Sequence, residues 1–167
     1  LLDMDWMYDW GRFDFEQTNF FWDFARGKML YSIGRTQKYP NVKSFYIKQN
    51  RGVKEQVLNL SQAENQAFFN SLEHNNLPEN RTYLYNYVYD NCATKIRDII
   101  QEVVPTATLD LSFKVPKKSV RDLMDDYLSD QPWGDFIIDA ALAYPIDNEA
   151  SAETYLFLPD YVHLALE

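Results

Sequence analysis

The sequence predicts an α+β domain with its strands in the first half and helices dominating the second. Three observations carry this. Aromatic residues alternate near the N-terminus and again over 81–89, the period of a strand. Helix-capping signals precede apolar stripes at 61–74, 91–104 and 119–128. The 167 residues show no linker, repeat or low-complexity stretch, so residues 1–167 are expected to form a single domain.

The elements follow in order. In DWMYDWGRFDF (5–15), Trp6, Tyr8 and Trp10 alternate with Met7 and Asp9, and Gly11 breaks the run before Phe13 and Phe15. Asn19 is placed to cap a helix through Phe20, Phe21, Phe24 and Ala25, which Gly27 closes. MLYSIGR (29–35) reads as a short strand, and Lys43 to Asn50 as helix. VKEQVLNL (53–60) alternates Val53, Glu55, Val57 and Asn59 against Lys54, Gln56, Leu58 and Leu60, which predicts a strand. Ser61 with Glu64 is a capping-box pattern, predicting a helix to about His74 that Leu77 and Pro78 end. RTYLYNYVY (81–89) is aromatic and β-prone.

The next helix starts at Asp90, Asn91 or Cys92, buries Ile96, Ile99, Ile100 and Val103, and stops near Val104 before Pro105. Ser119 with Asp122 predicts a further cap, leading into Val120, Leu123, Met124 and Leu128. Two more helices are expected over 135–144 and 152–166.

Composition narrows the function. Hydrophobic residues are 46% and aromatics 16%, with 12 Tyr, 11 Phe and 4 Trp, which fits a folded core. The net charge of −9 argues against nucleic acid and gives no support for docking on anionic lipid by charge alone. No run reaches the roughly 18 apolar residues of a membrane helix, and no signal peptide is visible. The chain begins LLDMDW, without an initiator Met, in what reads as a strand, so it is expected to be a fragment or processed product. Metal ligation lacks clustered His and Cys, no Gly-rich phosphate loop occurs, and Asp122, Asp125 and Asp126 read as a solvated helix face. No cofactor or metal is expected.

The one cysteine, Cys92, lies in YDNCATKIRD (89–98). It excludes an internal disulfide without fixing the compartment. With Asp90 or Asn91 as the cap, Cys92 falls in the first helical turn, where free amides and the helix dipole favour negative charge. Such amides also hold the oxyanion of an acyl transfer. Cys92 is therefore a candidate nucleophile, though from position alone a small packed core sulfur is the favoured reading. A nucleophile needs a base, and both histidines, His74 and His163, read as surface or capping residues. The thiol is well placed and its base is missing.

Six stretches, in the same order and spanning nearly the whole chain, resemble one family: YDWGRFDF (8–15), FARGKMLYSI (24–33), EQVLNLS (55–61), LPENRTYLYNYVYDNCATKIRD (77–98), QPWGDFIID (131–139) and YLFLPDYV (155–162). The family is the N-terminal periplasmic domain of bacterial Lnb-type lipoprotein N-acyltransferases. The resemblance implies a permuted papain-like, NlpC-like α+β domain with a small antiparallel sheet and Cys92 as nucleophile. The family's His lies in a Gly-His motif upstream of YDWGRFDF, which these residues do not contain, so no residue here inherits the base role and this chain alone is expected to be inactive.

Cys92 would accept an acyl chain from a phospholipid or lipoprotein ester and pass it to a lipoprotein N-terminus, at the outer face of the inner membrane. The aromatic-rich surface would help at the bilayer edge, with membrane association coming chiefly from parts outside this chain. Asn91 would cap the helix, and Arg97 would pair with a carboxylate such as Asp14. Two rival readings are a cell-wall amidase of the same fold and a non-catalytic interaction subunit.

Overall fold

The computed structural model describes residues 5–113, 117–128 and 144–166. Strands β1 (Trp6–Arg12), β2 (Leu30–Gln37) and β3 (Thr82–Leu84) form an antiparallel sheet in the order β1-β2-β3. Helix α1 (Phe20–Ala25) links the first two strands, and α2 (Tyr39–Lys48) and α3 (Gln62–Asn75) separate β2 from β3. After the sheet come α4 (Cys92–Val103), α5 (Val120–Leu128), a 3₁₀ turn (Tyr144–Asp147), α6 (Ala152–Tyr155) and α7 (Pro159–Ala165). The α+β class and the small antiparallel sheet are as the sequence predicts.

The break expected at Gly11 is a bulge. Trp10 pairs with Ile33 and Arg12 with Ser32, so Gly11 is an extra residue, with φ of 100°. That backbone is strained for any side chain, and glycine adopts it freely. One sheet face seats α3. Trp6 packs on Phe69, the Arg35 guanidinium lies 3.9 Å from the Trp6 ring centre, and Tyr8 and Arg35 both donate to Glu73. Ser61 caps α3 through the expected reciprocal bonds with Glu64.

The main core lies in the second half. Leu123 and Met124 of α5 pack with Val88, Ile146, Tyr155 and Phe157. Beside them Ala93, Leu156, Val162 and Ala165 join α4 to α6 and α7.

Four expectations need correction, and one lies beyond the described residues. Residues 51–60 form no strand. Their alternation is real, since Gln56, Leu58 and Leu60 are half-buried and Glu55, Val57 and Asn59 exposed, but no strand lies alongside to complete a ladder. The β-prone run 81–89 is strand only over Thr82–Leu84. Asn86 ends it by accepting the Val88 and Tyr89 amides on its side chain, a turn that competes with the ladder. The helix expected over 152–166 is two short ones, because Pro159 cannot continue a helix and restrains Leu158 to an extended conformation. Ile96 is open, at 44% exposure, while Ile99 and Ile100 are buried. The helix expected over 135–144 falls on residues outside the described set, apart from Tyr144.

Candidate functional site

Asn91 builds the start of α4. Its backbone is extended, and its side-chain oxygen accepts the Ala93 and Thr94 amides at 2.8 and 2.9 Å. Thr94 returns the bond, its hydroxyl oxygen accepting the Asn91 amide at 2.8 Å. The Asn91 side-chain nitrogen donates to the Tyr87 carbonyl at 2.9 Å and the Phe157 carbonyl at 2.8 Å. Asn91 and Thr94 are both buried. One amide group thus ties the helix start to the loop before it and to the break between α6 and α7.

Cys92 is the first residue of α4 and is exposed. An exposed sulfur is not a core-packing residue. Two amides of the first turn are occupied by Asn91, whereas the Cys92 amide is unpaired among the described residues. The amide left free at this helix start is therefore Cys92's own N–H rather than the whole helix end. Ile96 stands one turn further along the same helix face, so its exposure leaves an apolar ledge beside the thiol.

The wall opposite is aromatic. A Cβ built on Gly11 would lie 3.6 Å from the Cys92 Cβ, so the bulge is in van der Waals contact with the cysteine. Tyr31 and Tyr85 stack with ring centres 4.1 Å apart, and Tyr83 and Tyr87 extend the cluster. Burial pushes the Tyr31, Tyr83 and Tyr85 phenols up, and the negative charge of an ionised Cys92 adds to this. The Tyr83 hydroxyl is buried and has no hydrogen-bond partner among the described residues; it lies against the Gly11 amide without forming a bond of good geometry. The Lys95 ammonium, paired with Asp90 at 2.7 Å, lies 4.6 Å from the Tyr83 ring centre. From Tyr31 the rings continue through Phe13 to Phe15 and Phe20. Beside them runs an open, mainly apolar trough of about 410 Å³ lined by Phe13, Leu30 and Tyr31, with Arg12 and Asp14 among its polar residues.

Phenols whose ionisation is pushed up in the fold set a pH limit on it. Tyr8 is pushed up to about 12 by burial and its bond to Glu73, and Tyr127 to about 12 by burial and its bond to Asp160. In the unfolded chain tyrosine ionises near 10. Above that pH the unfolded state holds fewer protons than the folded one, so stability falls as pH rises. Thermal melts followed by circular dichroism should give a lower Tm at about pH 11 than at about pH 8. An unchanged Tm would show that the phenols ionise alike in both states.

No base for Cys92 is expected among these residues. Cys92 makes no hydrogen bond among the described residues, so neither His74 nor His163 contacts its sulfur. His74 lies in the last turn of α3 and meets the Asn80 side chain at 3.2 Å. The pairing of Arg97 with Asp14 is replaced. Arg97 pairs with its neighbour Asp98 at 2.6 Å and lines a separate cavity of about 540 Å³ with Gln101, Leu109 and Leu156. Asp14 instead accepts the Glu16 amide at 2.9 Å, a local turn bond. Of the residues singled out from sequence, the fold joins Asn91 to Cys92 and leaves Arg97 and Asp14 apart. Gly11, Tyr31, Tyr83 and Tyr85 were missed, although the spacing of Tyr83, Tyr85 and Tyr87 in RTYLYNYVY already put them at one strand period.

Among the described residues no group of His, Cys, Asp and Glu is arranged to hold a metal, and no helix is long and apolar enough to cross a membrane. A family model described as the Lnb N-terminal periplasmic domain matches residues 5–126. No curated protein and no solved structure matches significantly.

Proposed function

This chain belongs to the Lnb N-terminal periplasmic domain family, and from that premise we propose that Cys92 is the nucleophile of an acyl transfer to a lipoprotein N-terminus. The observation that carries the reading is the exposed thiol at the start of α4 with its own amide unpaired, facing an aromatic wall.

The reaction runs in two steps. The Cys92 thiolate attacks the carbonyl carbon of a phospholipid or lipoprotein ester, and the Cys92 N–H faces the oxyanion that forms. The C–O bond to the glycerol breaks, the departing alkoxide takes a proton, and a thioester remains on the sulfur. The lipoprotein's free amine then attacks that thioester. The C–S bond breaks, an amide forms, and the amine gives up a proton as the thiolate returns. Both proton transfers need a base, and in this reading it comes from a group other than His74 and His163. The same reading takes the sheet and α4 as a permuted papain-like core and sets the domain at the outer face of the inner membrane. A periplasmic location fits the family.

The apolar surroundings of the thiol favour a lipid acyl donor over a cell-wall peptide. Tyr31, Phe13 and Leu30 line the adjoining trough, and Ile96 is open beside the sulfur. The test offers the protein from its intact gene a diacyl phospholipid with a model lipopeptide and, separately, cell-wall peptides. The transferase reading expects an N-acylated lipopeptide and no cleaved peptide. Peptide cleavage without N-acylation would replace it with the amidase.

A further inference from the structure

We infer that the arm formed by α2 and the chain after it, residues 38–57, docks this domain onto an anionic phospholipid surface. The net charge of −9 hides a strong segregation. Eight of the 16 Lys and Arg residues lie from Arg26 to Lys54, and none of the 25 Asp and Glu does. The arm itself carries Lys38, Lys43, Lys48, Arg51 and Lys54. Two of these are neutralised, Lys43 by Glu55 and Lys54 by Asp160. Lys38 and Lys48 have no carboxylate partner among the described residues, and Arg51 lies over the Tyr46 ring at 4.6 Å. Three cations are thus left facing solvent on an otherwise acidic domain.

Apolar side chains stand among them. Phe45 is 55% exposed, Ile47 59%, Val53 36% and Val57 95%. Helix α2 buries none of its residues, and Phe45 lies one turn from Lys48 on the same helical face, which carries the combination that binds the lipid interface: cations for the phosphates and apolar groups for the acyl boundary. Charge complementarity selects the occupant. A neutral protein groove would not require the uncompensated cations, and nucleic acid would not require the exposed Phe45, Ile47 and Val57. The surface is distinct from the Cys92 site and does not depend on the reaction proposed for it.

The test is cosedimentation of the 167-residue chain with vesicles at low salt. Vesicles containing about 30% phosphatidylglycerol should bind the chain at least roughly tenfold better than pure phosphatidylcholine, and the difference should shrink as salt rises. Lys38→Glu with Lys48→Glu should remove that preference. Phe45→Ser with Ile47→Ser should weaken binding several-fold at the same salt. Arg81→Glu with Lys117→Glu, an equal charge change elsewhere, should leave binding nearly unchanged. Circular dichroism of each variant keeps loss of fold from being read as loss of binding. Equal binding to both vesicle types, equal loss on Arg81→Glu with Lys117→Glu, or binding to an oligonucleotide in place of vesicles would overturn the inference.

Discussion

In the protein expressed from its intact gene, Cys92→Ser lowers lipoprotein N-acylation by at least about a thousandfold. The replacement exchanges sulfur for oxygen at an exposed position, so the fold is expected to change by less than about 0.5 kcal/mol. What is lost is the thiolate and the thioester, and a serine hydroxyl has no base within the described residues to activate it. The isolated 167-residue chain should also be slow, by roughly 10²–10⁴-fold, because neither histidine reaches the sulfur to move the protons. Mass spectrometry of a model lipopeptide incubated with membranes carrying each form reads both effects. Undiminished N-acylation by the serine variant removes the nucleophile assignment. Efficient N-acylation by the isolated chain shows that a base other than histidine acts from within these residues.

Asn91→Ala is expected to cost about 3–5 kcal/mol of stability, among the larger effects of any single truncation here. Losing the cap accounts for about 1 kcal/mol. Leaving the Tyr87 and Phe157 carbonyls without their donor adds about 1–3 kcal/mol each, less whatever water recovers. For a chain of this size the Tm should fall by roughly 10 °C. Asn91→Asp separates the two roles, since it keeps the oxygen that caps Ala93 and Thr94 but cannot donate to either carbonyl. It should fall between wild type and alanine. A loss below about 1 kcal/mol for the alanine variant would mean that the side chain serves only as a cap.

The start of α4 was legible because local rules agreed with the tertiary contacts. Asn91 is a good cap, Thr94 sits where the return bond is made, and the apolar stripe continues through Ile99 and Ile100. Ser61 with Glu64 and the break at Gly11 were legible for the same reason: each needs only its own neighbours. The rest depended on partners that are remote in the chain. Alternation over 53–60 states which side faces the protein and says nothing about whether a strand lies alongside. Arg97 had several carboxylates available, and the adjacent Asp98 took it at the least loss of side-chain freedom. Pro159 was a visible stop that the reading of 152–166 as one helix passed over. The tyrosine wall needed β2 to bring Tyr31 beside Tyr83, a register that the sequence of neither strand states alone.

The central claim, that Cys92 carries the acyl group, is tested most directly by the intact mass of the protein after exposure to a diacyl phospholipid without an amine acceptor. The account predicts an added mass of one acyl chain, located at Cys92 by peptide mapping, released by neutral hydroxylamine as a thioester is, and absent from Cys92→Ser. An N-acylating protein that gains no such adduct, or whose adduct persists unchanged in Cys92→Ser, would contradict it.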